Sequence, residues 1–141
     1  MREEALAVAT RALARREHSA HGLRERLLRA GVSDADADGA LEELQRVGLL
    51  DDGRFASERA RVLAERGKGD AAIRYELERS GLESGDVEAA MAELEAESDR
   101  AARVVDRRGA TPATARLLAS RGFDEAVVEA FVAPGQLPEL G

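Results

Sequence analysis

The feature that most constrains this chain is that it repeats itself. Residues 13–44, LARREHSAHGLRERLLRAGVSDADADGALEEL, align without a gap on residues 63–94, LAERGKGDAAIRYELERSGLESGDVEAAMAEL, at an offset of 50. Residues 104–132, VVDRRGATPATARLLASRGFDEAVVEAFV, follow the second copy at an offset of 41. Five positions keep their character in all three copies: Leu13/Leu63/Val104, Arg16/Arg66/Arg107, Leu27/Leu77/Leu118, Gly31/Gly81/Gly122 and Val32/Leu82/Phe123. A short unit that recurs in tandem gains stability by leaning on its neighbours, so an array of repeats is expected in place of one large core.

Each copy reads as three helices. Leu23 with Leu27, and Ile73 with Leu77, give the i, i+4 stripe of a buried helical face. The long Ala/Glu/Arg/Leu stretches favour helix by propensity. Of the 62 apolar residues 28 are alanine and only four residues are aromatic, so the cores must be thin and the helices closely packed. Helices are predicted over 3–16, 19–30, 34–46, 52–66, 70–80, 84–96, 98–108, 112–121 and 125–132. No strong breaker lies between 87 and 108, which leaves a single bent helix open as a reading of the sixth and seventh. The fold expected is all-α: three tandem three-helix repeats in an elongated, curved, right- or left-handed solenoid-like array. The repeats are assigned to 1–50, 51–97 and 98–133, with a flexible tail over 134–141.

The recurring residues have mechanical explanations. Gly31, Gly81 and Gly122 suit the left-handed residue that ends a helix, in a closure that brings Val32 against Leu27, Leu82 against Leu77, and Phe123 against Leu118. Arg16, Arg66 and Arg107 fall in the last turn of each first helix, where a cation complements the helix dipole. In GLLDDGRFA, residues 48–56, two adjacent carboxylates raise the question of acid-base or metal chemistry. Asp51 as N-cap, Asp52 as a first-turn charge, and Leu50 stapled to Phe55 explain them as a helix start.

Other polar motifs are weaker. HSAH sets His18 three residues before His21, but Ser19 is a good N-cap that would leave His18 outside the helix, and a third ligand is missing. RGKG, 66–69, follows a helix and lacks the rest of a P-loop, so it reads as a turn in which Lys68 can meet an anion. Tyr75 should point away from the face that Ile73 and Leu77 bury, and with Lys68 and Arg74 it can form one exposed ridge. No metal, cofactor or catalytic group is expected. The chain has no cysteine, and hence no disulfide framework or thiolate chemistry. With no membrane-length apolar run and no signal peptide, a cytoplasmic monomer is expected.

Net charge is −7, which argues against a free-standing duplex-DNA binder. The charge is segregated, however: +4 over 11–30, −5 over 31–45, +2 over 59–82, −7 over 83–99 and +5 over 100–123. Basic second helices and loops alternate with acidic third helices, a pattern that suits docking in a fixed register on a partner of mixed charge.

RREHSAHGLRERL, GLLDDGRFASERARVLAERGKGDAAIRYEL and SRGFDEAVVEAF resemble the RecX regulatory proteins, and the resemblance runs from Ala5 to Val132. Gly22 stands where the family pattern has a glutamate, and Asp70 where a proline is common. The resemblance implies three tandem three-helix repeats without enzymatic activity, which bind the RecA recombinase, lie in the groove of its filament on DNA, and restrain ATP hydrolysis, strand exchange and coprotease function. Partner contacts are then expected at Lys68, Arg74, Tyr75, Arg24, Arg66, Arg107 and Arg108, with at most weak, salt-sensitive contact to DNA. Ser19, Asp51, Asp52, Gly31, Gly81 and Gly122 are assigned structural roles as caps. A helix-turn-helix nucleic-acid reader and a generic helical scaffold are the alternatives.

Overall fold

The computed structural model describes residues 2–131, which form nine α-helices and no strand. They are α1 (Arg2–Arg15), α2 (Ala20–Arg29), α3 (Asp34–Arg46), α4 (Asp52–Glu65), α5 (Asp70–Arg79), α6 (Ser84–Glu93), α7 (Glu97–Arg108), α8 (Pro112–Ser120) and α9 (Glu125–Phe131). The tail expected over 134–141 lies outside the described residues.

Three separate cores hold the helices in sets of three. Leu23, Leu27, Leu41, Leu44 and Leu50 close the first with small alanines between them. Phe55, Leu63, Ile73, Leu77, Leu82 and Val87 form the second, and Val104, Leu118, Phe123 and Val128 the third. Leu23, Leu27, Ile73, Leu77 and Leu118 are completely buried, as the helical stripe requires. Ala9, Ala37, Ala56 and Ala60 are equally buried, so close helix approach through alanine makes up for the missing large side chains.

The helix ends are closed by the local chemistry of the sequence. Asp51 is the N-cap of α4, its carboxylate accepting the Arg54 N–H at 3.0 Å. Gly31 has φ +90°, with Val32 N–H donating to Leu27 O and Gly31 N–H to Leu28 O, the paired bonds of a Schellman closure. Gly122 repeats this with Phe123 N–H to Leu118 O and Gly122 N–H to Ala119 O. Gly48 and Gly67 end α3 and α4 in the same way, although they fall outside the threefold pattern.

One expectation is corrected and one open reading is decided. Leu50 and Phe55 are not a staple pair but sit in different cores. The Leu50 N–H donates to Leu44 O, which draws that residue back onto α3. Of the readings left open for the sixth and seventh helices, the two separate spans are the ones observed, as α6 and α7. Leu94 turns extended at ψ 148° and packs on the middle core, and the Glu95 carbonyl accepts from Arg100 Nε at 3.0 Å.

Successive repeats meet end to end through their second helices. At the first joint the N-terminus of α2 abuts the C-terminus of α5. Ser19 Oγ accepts the Gly22 N–H at 3.0 Å and donates to Ser80 O at 2.8 Å, capping its own helix and closing the next one. Asp52 Oδ1 accepts the Ala20 N–H at 2.7 Å, so this carboxylate serves α2 across the joint as well as the first turn of α4. At the second joint the N-terminus of α5 abuts the C-terminus of α8: Gly69 N–H donates to Arg121 O at 2.7 Å and Ala71 N–H to Gly122 O at 3.2 Å. Glu97 accepts from the backbone N–H of both Asp70 and Asp124. Arg100, 9% exposed, donates to Glu95 O, Lys68 O and the Asp70 carboxylate and lies 5.8 Å from the centre of the Phe123 ring.

The three equivalent glycines therefore differ in surroundings. A Cβ on Gly31 would meet nothing within 4 Å, whereas one on Gly81 would lie 2.4 Å from His21 Cγ and one on Gly122 2.7 Å from Ala72 Cβ. Gly31→Ala should cost about 1–2 kcal/mol, the left-handed strain alone. Gly81→Ala should cost a further ~1–3 kcal/mol of overpacking. Equal losses in paired thermal melts would contradict this geometry. Asp51→Ala should cost about 1 kcal/mol, and an unchanged melting temperature would show that its cap is not needed.

His18 is 6% exposed at the first joint, and burial, then the nearby Arg16, holds its pKa below the ordinary 6.5. A lowered folded-state pKa means that the unfolded chain binds the proton more readily. The associated stability is present above about pH 6.5 and is lost as the pH falls through the folded value. Melting temperature should drop between about pH 7 and pH 5 in the wild type and drop less in His18→Gln; parallel profiles for the two proteins would assign the acid sensitivity to other groups.

Candidate partner-binding surface

The end-to-end joints decide which side chains remain available to a partner. Lys68 is exposed in the turn after α4; its carbonyl is held by Arg100 while its ammonium has no partner among the described residues. Tyr75, one turn into α5, is 63% exposed, so both reach solvent. Arg74 does not complete a free ridge with them, because its guanidinium is paired with Glu88 on α6. Arg24, its counterpart in the first repeat, is bound in the same way to Asp38 at 2.8 Å and Asp34 at 3.1 Å on α3. These carboxylates, with the Asp38 hydrogen bond first, push the Arg24 pKa above its ordinary value. The two arginines thus clamp second helix to third helix within a repeat.

The repeated arginines lie at helix ends, but Arg107 alone falls within a last turn, since Arg16 follows the end of α1. Arg66 is the C-cap residue of α4 and Arg107 lies in the last turn of α7, where its Nε reaches Arg103 O at 3.4 Å. Arg108 ends α7, and all three are exposed. The capping residues are engaged within the protein: Ser19 is 3% exposed, and Asp51 and Asp52 accept backbone N–H groups at helix starts. His18 and His21 do not converge on a shared site. His18 is buried ahead of α2, while His21 contacts Glu25 at 3.2 Å and packs on Gly81. Among the described residues no three His, Cys, Asp or Glu side chains are grouped to hold a metal ion.

Two clefts flank the joints. One of about 680 Å³ lies between the second and third repeats, with Arg61, Arg103, Glu65 and Glu95 on its walls. Its cations are largely neutralised, Arg61 by Glu58 and Glu65, and Arg103 by Glu95. The other, about 270 Å³, lies at the first joint and is lined by Arg16, Arg26, Arg29 and Arg79 around His18 and Ser19. Sequence reading singled out only Arg16 of these four. The +4 balance over 11–30 was the available signal, but which arginines lack carboxylates depends on where α5 ends against α2. Arg100 was missed as well, since its partners Lys68 and Asp70 are distant in sequence. No helix among the described residues is long and apolar enough to cross a membrane.

Comparison with known proteins agrees with the repeat architecture. Residues 5–44 match the family model of the first three-helix domain of RecX, and residues 51–91 that of the second, together more than half of the chain. A regulatory protein RecX from Halorhodospira halophila is 46% identical over 61 residues, covering 43% of this chain and 38% of that protein. One from Syntrophotalea carbinolica is 42% identical over 67 residues, covering 48% and 44% respectively. These alignments thus span less than half of the relatives' length. Among solved structures, RecX from Lactobacillus salivarius superposes with a TM-score of 0.78 at 14% identity, over 92% of this chain and 93% of that one. Another crystal structure of regulatory protein RecX gives 0.76 at 18% identity, over 92% and 72%. With two of the family's three-helix domains in order along the sequence and the same fold in three dimensions, this chain belongs to the RecX family of regulatory proteins.

Proposed function

We propose that this protein is a non-enzymatic regulator that binds the RecA recombinase filament in the cytoplasm and restrains its ATPase, strand-exchange and coprotease activities. The observation that carries this reading is the tandem match to the first and second RecX three-helix domains. The physical character of the chain is consistent with it. Regulation by docking calls for charge displayed on a folded scaffold, and three small cores joined end to end supply one. In this reading 1–50, 51–97 and 98–133 are the three docking units, and Lys68, Tyr75, Arg66, Arg107 and Arg108 supply exposed contacts. Arg24 and Arg74 act by holding the second helices in place.

The acidic third helices weigh against a helix-turn-helix reader, since Asp34, Asp36, Asp38, Glu42 and Glu43 would all travel with α3 towards phosphate.

Adding the protein should lower the single-stranded-DNA-dependent ATPase of RecA; no change at saturating protein would sink the proposal. Lys68→Glu with Tyr75→Ala should weaken that inhibition while leaving helical content intact, because charge reversal adds repulsion and the exposed ring is lost as an anchor. Full inhibition by the folded variant would remove this ridge from the interface. Binding to naked oligonucleotides should be weak and fall steeply with salt. Tight duplex binding that survives physiological salt would favour a direct DNA reader.

A further inference from the structure

We propose that the arginine cleft at the first joint is a docking site for carboxylates on an acidic segment of the protein partner. This deepens, and rests on, the reading that the protein acts by docking on the RecA filament. Arg16, Arg26, Arg29 and Arg79 line one cleft of about 270 Å³, and all four are exposed. None has a side-chain hydrogen bond or ion pair among the described residues. Other exposed arginines also lack a carboxylate partner, but here four of them line one cleft, whereas Arg24, Arg46, Arg54, Arg61, Arg74 and Arg103 are each held by a carboxylate. The one carboxylate in the cleft, on Glu25, is 3.2 Å from His21.

The repeats supply an internal control for what the cluster is for. Moving along the two offsets, the second joint has Arg66, Glu76, Arg79 and Ser120 where the first has Arg16, Arg26, Arg29 and Arg79. That joint still stacks α5 on α8 through backbone hydrogen bonds. Four arginines are therefore not required to build a joint. They leave a concentration of positive charge whose mutual repulsion an incoming anion relieves.

The surroundings favour carboxylates over a nucleic-acid strand. Glu76 and Glu78 lie on α5 within a turn of Arg79, and Glu17 and Glu58 line the adjoining cleft that shares Arg16. A continuous strand leaving the arginines would run into these acids on a chain of net charge −7. A short acidic segment needs only one or two carboxylates in the cleft, each accepting a paired guanidinium contact.

The test uses the full chain with Arg26→Gln and Arg79→Gln combined, and Arg11→Gln with Arg116→Gln as a variant of equal charge loss elsewhere. Thermal melts first establish that both are folded. Fluorescence anisotropy then follows a labelled oligoglutamate peptide and, separately, a single-stranded oligonucleotide of the same charge, and RecA ATPase inhibition is measured in parallel. Peptide affinity should fall about tenfold in the cleft variant and little in the other, inhibition should weaken with it, and oligonucleotide affinity should hold. Unchanged peptide binding by the folded cleft variant overturns the site, as does absence of peptide binding by the wild type. An equal loss of oligonucleotide binding assigns the cleft to phosphodiesters and overturns the carboxylate assignment. Loss of peptide binding with undiminished ATPase inhibition overturns the role of the cleft on the filament. Failure of the wild-type protein to affect RecA at all refutes the functional reading, while the peptide measurement still decides the cleft.

Discussion

Everything in this molecule hangs on helix ends that close one another. An α-helix leaves N–H groups unpaired at its start and carbonyls unpaired at its finish, and burying either without a partner is costly. Here the start of α5 meets the finish of α8, and the start of α2 meets the finish of α5, so each end answers the other with its dipole aligned head to tail. Gly69 and Ser19 occupy the same position one repeat apart and solve the same problem differently. Gly69 lets backbone donate directly to backbone, and a Cβ there would lie 2.3 Å from Phe123 N. Ser19 interposes a hydroxyl that accepts from its own helix and donates to the next.

That arrangement explains why small cores suffice. Each repeat buries only a handful of large apolar side chains, and the joints are made chiefly of hydrogen bonds and charge, with Arg100 gathering Glu95, Lys68 and Asp70 around one guanidinium. A buried guanidinium with all of its partners supplied positions the repeats relative to each other, while truncating it would leave two carbonyls and a carboxylate short of a donor. Asp70, which stands where the family pattern often has a proline, is one of those partners. The second joint is thus fastened by an ion pair as well as by helix stacking.

The same geometry sorts the arginines by use. Those facing a neighbouring third helix are spent on it, as Arg24 is on Asp34 and Asp38 and Arg74 on Glu88. Arg16, Arg26, Arg29 and Arg79 line the cleft at the first joint and form no ion pair among the described residues. Charge segregation along the chain therefore becomes, in three dimensions, a mixture of internal clamps and a few uncompensated clusters. The unpaired clusters meet a partner without first giving up a carboxylate, a difference that exposed pairs keep small.

The sequence by itself determined the local events. Helix spans, the buried stripes of Leu23 with Leu27 and Ile73 with Leu77, the cap at Asp51 and the left-handed closures at Gly31 and Gly122 all depend on residues within a few positions of one another. The threefold repeat, read the same way, already implied stacked three-helix units. Tertiary structure decided what happens between units. It set Asp52 on Ala20, Ser19 on Ser80 and Arg100 on Lys68, contacts separated by 32, 61 and 32 residues that no local pattern encodes. It separated α6 from α7, with Leu94 turned extended onto the middle core and the Glu95 carbonyl accepting from Arg100. It also gave three equivalent glycines two different roles: Gly31 answers only to its backbone angle, while Gly81 and Gly122 must in addition leave room for the helix that lands on them.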